Sequence, residues 1–383
     1  MANTAPRVAE VEHEEAAAAV DKKAQALADR IRTSKHLVVF TGAGVSTSAG
    51  IADFRGPEGA WTLMAQGRGH DLRSIDTLEA IPTPTHMALV ELQNRGVLKY
   101  LISQNCDGLH RRSGILPSMV SELHGNSNRE YCKDCGKEYI RDFRAVAPDE
   151  RPVHDHRTGR KCAICGGILL DSIINFGEDL PEADFERAHA HAEKSDVFVV
   201  LGSSLTVTPA NEIPEIPGRK RNPFLAICNL QKTPVDGLAD LRVFSKSDDL
   251  MTRVMAKLDI PIPSFILQRR LIITNGQNAR GKFHLLITGV DVDGTPSTFL
   301  RSVRCRNNRR VARAEPLTID FRGGLEPGTR VELELEFMGN YGEPNLCINH
   351  DNGGQVDESV TYDLKYNPSN GSWDYSRTID LSA

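Results

Sequence analysis

The sequence lacks the long apolar runs and the strong charge imbalance that mark membrane proteins and nucleic-acid-coating proteins. Its apolar runs fall well short of the roughly 20 residues that span a bilayer. The formal net charge is −5, so no bulk attraction to nucleic acid or to a membrane surface is implied. The N-terminal stretch is polar and acidic, without the apolar core of a signal peptide, so we expect a soluble intracellular protein.

Cysteine is also scarce, and half of the eight cysteines fall into two close CxxC pairs, each followed by glycine. The pairs are Cys132 with Cys135 and Cys162 with Cys165. In a chain that is not secreted, such pairs are typical of metal ligands rather than disulfides. Four thiolates suit a closed tetrahedral zinc site, which is structural because no position is left open for water. The long spacer contains His154 and His156, and either could replace a cysteine, although we expect both to face solvent.

The stretch from Leu37 to Gly56 organises the rest of the chain. Its first five residues are apolar and β-branched, typical of a strand buried on both faces of a parallel sheet. The small residues Gly42, Ala43 and Gly44 follow, and they let backbone N–H groups approach a pyrophosphate closely. Thr47 stands where the third glycine of GxGxxG would fall, so this segment could also be a plain tight turn. The acid, aromatic and guanidinium of DFRG just downstream favour a dinucleotide-binding unit.

Further strands alternate with helical segments, and the clearer strands end in small polar residues. The predicted strands are Val97 to Ser103, Asp196 to Leu201, Phe224 to Cys228 and Val243 to Lys246. The predicted helices are Glu10 to Arg32, Thr83 to Leu92 and Asp248 to Leu258, and Gly59 to Ala80 is predicted to be a mobile segment or lid. This pattern predicts an α/β fold, a doubly wound parallel Rossmann-like sheet with a small zinc-binding module.

The composition changes after Pro261, Ile262 and Pro263, which break the last helix. Short strands between Gly, Pro and Asp turns are predicted at Lys282 to Val290, Thr298 to Cys305, Leu317 to Phe321 and Arg330 to Phe337. We therefore expect a C-terminal all-β, sandwich-like domain of unknown role. The predicted organisation is an N-terminal helical extension (1–35), a nucleotide-binding domain (36–259) with the zinc module at about 125–176, a linker (260–270) and the β domain (271–383).

The densest basic run of the chain lies in that predicted β domain. It consists of Arg301, Arg304, Arg306, Arg309, Arg310 and Arg313. One interpretation is a contact with nucleic acid or chromatin, or a nuclear-import patch. The other, which we favour slightly, is a solvated strand and turn. A shorter run, Arg219 to Arg221, fits either interpretation.

The ordered motifs GAGVSTSAGIADFRG, QNCDGLH, ELHGN, the CxxC pairs, NFGE, GSSL and NLQ closely resemble those of the sirtuins. Sirtuins are NAD-dependent protein lysine deacylases, and the resemblance covers about residues 36–259. GPEGAWTL, the long zinc insert and the segment from Asn229 to Pro234 look most like the nuclear branch that contains mammalian sirtuins six and seven, especially seven. The resemblance implies a nuclear enzyme that uses NAD and holds one structural zinc ion on the four cysteines.

The resemblance also implies roles for the residues of the matching motifs. The residues that it places around NAD are Gly42, Ala43, Gly44, Asp53, Phe54, Arg55, Trp61, Gln104, Asn105, Asp107, His124, Gly202, Ser203, Ser204, Asn229 and Leu230. Those that it pairs with the substrate backbone, beside the acyl-lysine tunnel, are Phe176, Gly177 and Glu178. Simpler interpretations stay open for three of these positions, since Asp53 could cap a turn, and Ser203 and Ser204 could form a strand-end turn.

The catalytic residues implied by the resemblance are His124, Asn105, Asp107 and Ser46. His124 would be the general base, which suits a side chain whose pKa lies near working pH, although a helix-end histidine satisfied by backbone is the simpler alternative. Cys106, between two of these positions, is expected to be an apolar filler rather than a reactive thiol. Trp61, in the predicted lid, favours neutral acyl chains.

The predicted function is therefore deacylation of histones or other nuclear proteins, with release of nicotinamide and 2′-O-acyl-ADP-ribose. One alternative keeps NAD but transfers ADP-ribose to protein. The other is a chromatin scaffold with little catalysis, in which the β domain binds.

Overall fold

The computed structural model describes residues 10–277, 281–322 and 325–379. The chain divides into two compact units. The first unit comprises Met1–Ser127, Asp149–His156 and Ser172–Phe265, and the second comprises Asn128–Pro148, Arg157–Asp171 and Ile266–Ala383. The first nine residues of the predicted N-terminal extension and the last four of the predicted β domain lie outside the described residues.

The secondary-structure elements are numbered in chain order. The helices are α1 (Ala17–Thr33), α2 (Ala60–Ala65), α3 (Pro84–Asn94), α4 (Leu109–Ser113), α5 (Glu182–Lys194), α6 (Glu212–Gly218) and α7 (Ser247–Lys257). The first ten strands are β1 (Leu37–Thr41), β2 (Leu98–Ser103), β3 (Val120–Glu122), β4 (Arg129–Cys132), β5 (Glu138–Arg141), β6 (Arg157–Lys161), β7 (Ile168–Asp171), β8 (Val197–Leu201), β9 (Phe224–Cys228) and β10 (Leu241–Val243). The others are β11 (Leu267–Gln277), β12 (Phe283–Val290), β13 (Ser297–Thr298), β14 (Leu300–Cys305), β15 (Val311–Ala312), β16 (Leu317–Asp320), β17 (Arg330–Phe337), β18 (Leu346–Asp351), β19 (Ser359–Asn367) and β20 (Ser372–Ile379). Short 3₁₀ segments lie at Ala43–Val45, Thr47–Ala49, Gly69–Asp71, Pro117–Met119 and Asp236–Leu238.

The first unit contains a six-stranded sheet with the order β10-β9-β8-β1-β2-β3, in which all neighbours are parallel. All five residues of β1 are buried, because alternate side chains enter cores on opposite faces of the sheet. Leu37 and Val39 pack in the cluster that includes residues of α1, α3 and α7. Val38 and Phe40 pack in the cluster that includes residues of α5 and α6. The predicted doubly wound sheet is confirmed.

Several element boundaries in the first unit differ from the prediction. Helix α1 begins at Ala17 rather than Glu10, and the last strand of the sheet, β10, is Leu241–Val243 rather than Val243 to Lys246. The segment predicted as a lid contains the short helix α2 and the 3₁₀ turn Gly69–Asp71. Helix α3 begins as expected, because the Thr83 hydroxyl caps it and proline occupies its first position.

The second unit joins the cysteine-bearing strands to the C-terminal region. Its first sheet has the order β13-β5-β4-β7-β6. Strand β13 comes from the C-terminal region and pairs with β5 in parallel, with Ser297 opposite Ile140 and Thr298 opposite Arg141. The cysteine-bearing segment and the C-terminal strands therefore share a sheet.

The C-terminal region also forms two antiparallel sheets with the orders β16-β12-β11-β19-β20 and β15-β14-β17-β18. Residues from both sheets share one core, in which Val331, Leu333 and Leu335 of β17 alternate with half-buried glutamates. The predicted sandwich-like domain is confirmed, and β17 has the predicted bounds. The sequence analysis missed β11, β15, β18, β19 and β20. In the described part of the chain, no helix is long and apolar enough to cross a bilayer.

Candidate active site

A cavity of about 300 Å³ lies in the first unit, where the strands of the parallel sheet end. Residues that follow β1, β2, β8 and β9 line it. The chain runs from β1 outward to β2 and β3, and later returns to β8 on the other side of β1. Open α/β sheets bind ligands outside the carboxyl ends of their strands at such a reversal. The cavity therefore lies where this fold is expected to bind a ligand.

Glycines form the floor of the cavity because two loops cross there in backbone contact. Gly42 N–H donates to the Leu201 carbonyl at 3.0 Å, and Gly44 N–H donates to the Gly202 carbonyl at 2.9 Å. A Cβ atom on Gly42 would lie 2.7 Å from the Gly202 carbonyl oxygen, and one on Gly44 would lie 2.8 Å from Gly202 Cα. Gly202 itself has φ of +63°, which disfavours a side chain. Gly42, Gly44 and Gly202 must therefore be glycine for the loops after β1 and β8 to come this close. The space above these glycines suits a diphosphate.

A polar network follows β2 and connects the glycine loops. The Asn105 amide donates to the Gly42 carbonyl at 3.0 Å, and Ser203 Oγ donates to Gln104 Oε1 at 2.6 Å. Behind the wall, Ser46 Oγ donates to Asp107 Oδ2 at 2.7 Å. Ser46 and Asp107 are buried and lie behind the side chains that line the cavity, whereas Gln104, Asn105 and Ser203 are in the wall.

His124 lines the cavity, and the backbone of the loop that follows β2 holds its ring in one orientation. Its Nδ1 lies 2.9 Å from the Gln104 carbonyl oxygen, which can only accept a hydrogen bond, so Nδ1 carries the proton. Neutral His124 then keeps its lone pair at Nε2. Burial and the Arg55 guanidinium lower the pKa of His124, while the bond to the carbonyl opposes them. The imidazole is therefore set up to accept a proton at Nε2.

Aromatic side chains form one side of the cavity. The Phe54 and Trp61 rings are 4.7 Å apart, and Trp61 lies 5.5 Å from Phe176. The Arg55 guanidinium carbon lies 4.6 Å above the Trp61 ring. Asp53 orders the loop, because its Oδ1 accepts from the Gly56 N–H at 2.9 Å, and burial raises its pKa. Asp53 thus caps the turn, as one interpretation predicted, and it also lines the cavity.

Glu178, in the Phe176 to Glu178 segment, is bound by two histidines of the Asp149–His156 segment. Its Oε1 lies 2.7 Å from His154 Nδ1 and 2.8 Å from His156 Nε2, and its Oε2 accepts from the Asn175 N–H at 2.7 Å. Burial alone would raise the pKa of Glu178, but these bonds lower it overall. His154 is mostly exposed, but the side chain of His156 is only 20 % exposed. His154 thus faces solvent as expected, whereas His156 does not, and both histidines bind this carboxylate.

The four predicted metal ligands come together in the second unit. The sulfur atoms of Cys132, Cys135, Cys162 and Cys165 all lie within 4.8 Å of one another. The closest pairs are 3.4 and 3.7 Å apart, and four thiolates around one tetrahedral zinc ion are separated by about 3.8 Å. The Tyr139 hydroxyl, 3.2 Å from Cys162 Sγ, lowers the pKa of that thiol to about 6. The donor set fits one structural zinc ion.

Cys106 lines the cavity, whereas the basic run of the C-terminal region does not. Burial raises the pKa of Cys106 to about 12, which disfavours the thiolate form that a reactive cysteine needs. Arginines of the basic run face carboxylates on neighbouring strands: Arg306 lies 2.8 Å from Glu332, and Arg310 lies 3.2 Å from Asp320. These pairs favour the interpretation of the run as a solvated strand and turn.

The sequence analysis missed several residues of the cavity wall. They include Glu12, Leu180, Gln231, the segment Thr206 to Pro209, and Ser245 to Ser247. Correct placement of β10 would have indicated the serine and lysine residues that follow it. Glu12 carries no sequence signal, because its position depends on contacts with distant parts of the chain.

Comparison with known proteins agrees with this geometry. The family model described as "Sir2 family" matches residues 70–209. The plant protein "NAD-dependent protein deacetylase SRT1" of Arabidopsis thaliana is 44% identical over 246 residues, which are 64% of this chain and 51% of the relative. Human "NAD-dependent protein deacetylase sirtuin-7" is 42% identical over 63% of this chain and 62% of its own length. "NAD-dependent protein deacetylase Sirt6" of Drosophila melanogaster is 38% identical over 64% of this chain and 78% of its own length.

A solved structure of Sir2 with a deacetylated p53 peptide and 3′-O-acetyl ADP ribose is 31% identical. The match has a TM-score of 0.50 and covers 62% of this chain and 99% of that one. This chain spans about half the length of the plant relative it matches. The match to the Drosophila relative, at 38% identity, covers more than two thirds of that protein. The chain therefore belongs to the Sir2 family, the sirtuins.

Proposed function

We propose that this protein is an NAD-dependent protein lysine deacylase. One observation carries the proposal: the glycine floor, the Gln104–Asn105 pair, His124 and the Phe176 to Glu178 segment all line one cavity of the first unit. Relatives that are 38–44% identical to this chain bear the name NAD-dependent protein deacetylase. The floor glycines keep the two loops in backbone contact, since a Cβ atom on any of the three would meet backbone within 3 Å. Small residues after a strand are also of the kind that let a diphosphate approach the backbone closely.

The side chains of the cavity divide the work of such a reaction. Bound NAD would supply an electrophilic ribose carbon, with nicotinamide as the leaving group and ADP-ribose as the acceptor of the acyl group. Asn105 hydrogen-bonds the Gly42 carbonyl and is thereby oriented beside the glycine floor, where it would hold the nicotinamide end. Asp107, fixed by Ser46 and by the Leu109 N–H, supports that loop from behind. His124 Nε2 takes the proton of a ribose hydroxyl, which activates that oxygen.

The aromatic side of the cavity supports a neutral acyl group as the group removed. Phe54, Trp61 and Phe176 offer apolar faces, and Phe54 and Phe176 are each 44% exposed. Aliphatic neighbours Ile174 and Leu180 extend this surface. An apolar wall excludes water from the reacting carbon and does not stabilise a negatively charged acyl chain.

The four cysteines line no part of the cavity, so zinc has a structural role. All four belong to the second unit, whereas every residue that lines the cavity belongs to the first.

Mass spectrometry of an acetyl-lysine histone peptide, incubated with the protein with and without NAD, tests the proposal. We expect loss of the acetyl mass only with NAD, together with an acyl-ADP-ribose product. His124→Ala should slow this reaction by about 10²- to 10⁴-fold, the usual contribution of a general base. His70→Ala is the matched control, because this imidazole is 79% exposed and lies outside the cavity wall.

Other outcomes would contradict the proposal. A peptide that gains the mass of ADP-ribose would indicate a protein ADP-ribosyltransferase. If peptides with a panel of longer acyl chains also stay unchanged while NAD binds, a chromatin scaffold becomes the better interpretation.

We also propose that the protein acts in the nucleus on histones or other chromatin proteins. The similarity to sirtuin-7 and Sirt6 supports this proposal, with the short exposed run Arg219 to Arg221 as a candidate import signal. Microscopy of a fluorescently tagged full chain, with and without alanine at these three positions, tests it. A cytoplasmic signal for the unmodified chain would contradict the proposal.

A further inference from the structure

The segment Glu10 to Ala16, here called the N-terminal strap, lies along the strand ends that border the cavity. Its backbone is bonded at two points: His13 N–H donates to the Leu230 carbonyl, and Glu15 N–H donates to the Phe244 carbonyl, both at 2.9 Å. Gln231 Nε2 donates to the Glu10 carbonyl at 3.2 Å and to the Arg55 carbonyl at 3.3 Å. The strap is thus tied both to the segment after β9 and to the loop that carries Asp53.

Side chains hold the strap as firmly as its backbone does. Glu15 Oε1 accepts from the Phe244 N–H at 2.9 Å and from Lys23 Nζ at 2.7 Å. The His13 ring packs edge-on against Phe244 at 5.2 Å, and the Arg242 guanidinium carbon lies 3.9 Å from the same ring. The strap is therefore a fixed part of the cavity wall, and it presents Glu12 to the cavity.

Three acidic side chains line the cavity: Glu12, Asp53 and Glu178. Two of them are already engaged, Asp53 by the Gly56 N–H and Glu178 by His154, His156 and Asn175. In the described parts of the chain, the Glu12 carboxylate has no hydrogen-bond partner, although Lys246 is close enough to influence its charge. Glu12 is thus the acid of the wall whose acceptor oxygens are available to a ligand.

Among the residues that the structure describes, the strand ends beside the strap place no acidic side chain in the cavity wall. Gly202, Ser203 and Ser204 follow β8, Asn229 and Leu230 follow β9, and the residues of the wall after β10 are serine and lysine. Dinucleotide-binding folds that select NAD place a carboxylate on the ribose hydroxyls of the adenosine half, whereas a cation at that position accommodates the phosphate of NADP. Glu12 is attached through His13 to Leu230, on the side of the cavity where β8 and β9 end.

We propose that the Glu12 carboxylate accepts hydrogen bonds from the adenosine ribose of NAD and discriminates against NADP. The inference rests on the proposed function and adds a residue that selects the dinucleotide. A 2′-phosphate carries about −1.5 to −2 charges at pH 7 and would meet Glu12 with Asp53 nearby. A ribose hydroxyl in the same place donates to the carboxylate, so one side chain favours one ligand and repels the other.

Isothermal titration calorimetry of the full chain with NAD and with NADP tests this assignment without a need for catalysis. Glu12→Gln keeps the size of the side chain and removes its charge, and we expect it to weaken NAD binding by about 10-fold. NADP binding should weaken less or improve, so the NAD-to-NADP preference should fall at least about fivefold. Glu14→Gln is the matched control, because it removes the same charge from an exposed strap residue outside the wall, and both affinities should stay within about twofold.

Glu12→Lys sharpens the test, because a cation at this position should raise the affinity for NADP above that of the unmodified chain. Fluorescence of the two tryptophans, Trp61 and Trp373, checks that each unit of a variant is folded. Unchanged NAD binding in Glu12→Gln, or equal losses of affinity for NAD and NADP, would overturn this inference and leave the proposed function standing. An unmodified chain that binds neither dinucleotide would overturn the proposed function and this inference together.

Discussion

Two polar networks, one in each unit, are built in opposite ways. In the second unit, the Glu130 carboxylate is fully buried and accepts from Arg141 Nε at 2.8 Å and from Arg160 Nε at 2.8 and 2.9 Å. Arg141 in turn binds the Thr298 hydroxyl and Glu315 Oε2, so every side chain of this network is bound to another. In the first unit, the network around Gln104 leaves His124 Nε2 without a partner among the described residues.

This difference separates residues that hold the fold from residues that act on a ligand. A buried charge with several partners fixes the segments that carry it, because loss of any partner leaves the charge uncompensated. A side chain with one polar atom bonded to the protein and another left without a partner lowers the stability of the fold. Such an arrangement is typical of a group that binds a ligand. The closed network joins the cysteine-bearing sheet to the β domain, and the open one lines the cavity.

Loss of zinc should produce the largest effect and should be confined to the second unit. Structural zinc in small domains contributes about 10–16 kcal/mol of apparent folding free energy at pH 7. We expect Cys132→Ser, at a buried ligand, to abolish stoichiometric zinc and to unfold the cysteine-bearing strands. Elemental analysis measures the zinc, and the fluorescence of Trp373 reports on the second unit.

Cys347→Ser is the control, because this thiol is exposed, lies in the same unit and is outside the metal cluster. Affinity for NAD in Cys132→Ser, measured by calorimetry, should change by less than about fivefold, since a residue outside the wall acts on the ligand only indirectly. Loss of NAD binding as complete as the loss of zinc would break the division of roles between the units.

The features that sequence reasoning found are those whose chemistry demands particular residues at short, fixed spacing. The CxxC pairs, the glycines after β1 and the strand-alternation pattern of β17 are of this kind. Features that depend on long-range contacts were not predictable. Strand β13 pairs with β5 across more than 150 positions, and the place of Glu12 depends on backbone bonds to Leu230 and Phe244. Neither contact leaves a local pattern in the sequence.

Removal of Arg141 tests whether the closed network stabilises the second unit. Arg141→Met keeps the aliphatic stem but removes one of the two guanidinium partners of Glu130, and we expect a loss of about 3–5 kcal/mol in the free energy of unfolding. Urea denaturation followed by Trp373, in a Trp61→Phe background, measures this loss in the second unit.

Arg304→Met is the matched control for Arg141→Met. Arg304 is exposed and faces a single carboxylate, Glu334, at 3.9 Å, so its loss should cost no more than about 1 kcal/mol. Equal losses for the two variants would mean that the buried network contributes no more than a surface pair, and the comparison between the units would lose its basis.

The smallest predicted effect is a shift in pH dependence that originates in the open network. Burial and Arg55 lower the pKa of His124, so the neutral base persists below the ordinary histidine value of about 6.5. Activity should therefore be retained at pH 6.5 and fall only as the pH drops through the lowered pKa.

Arg55→Met removes a cation that opposes protonation of His124, so the acidic limb of the kcat/KM profile should move toward higher pH, whatever the loss in rate. NMR titration of the His124 ring assigns the limb, because Asp53 and Glu12 also titrate on the acid side with raised pKa values. Arg95→Met, at an exposed position on the end of α3, should leave the limb in place. A His124 ring that titrates at or above pH 6.5 in the unmodified chain would contradict this prediction. It would show that neither burial nor Arg55 lowers the pKa of His124, so the cavity would not favour the neutral base.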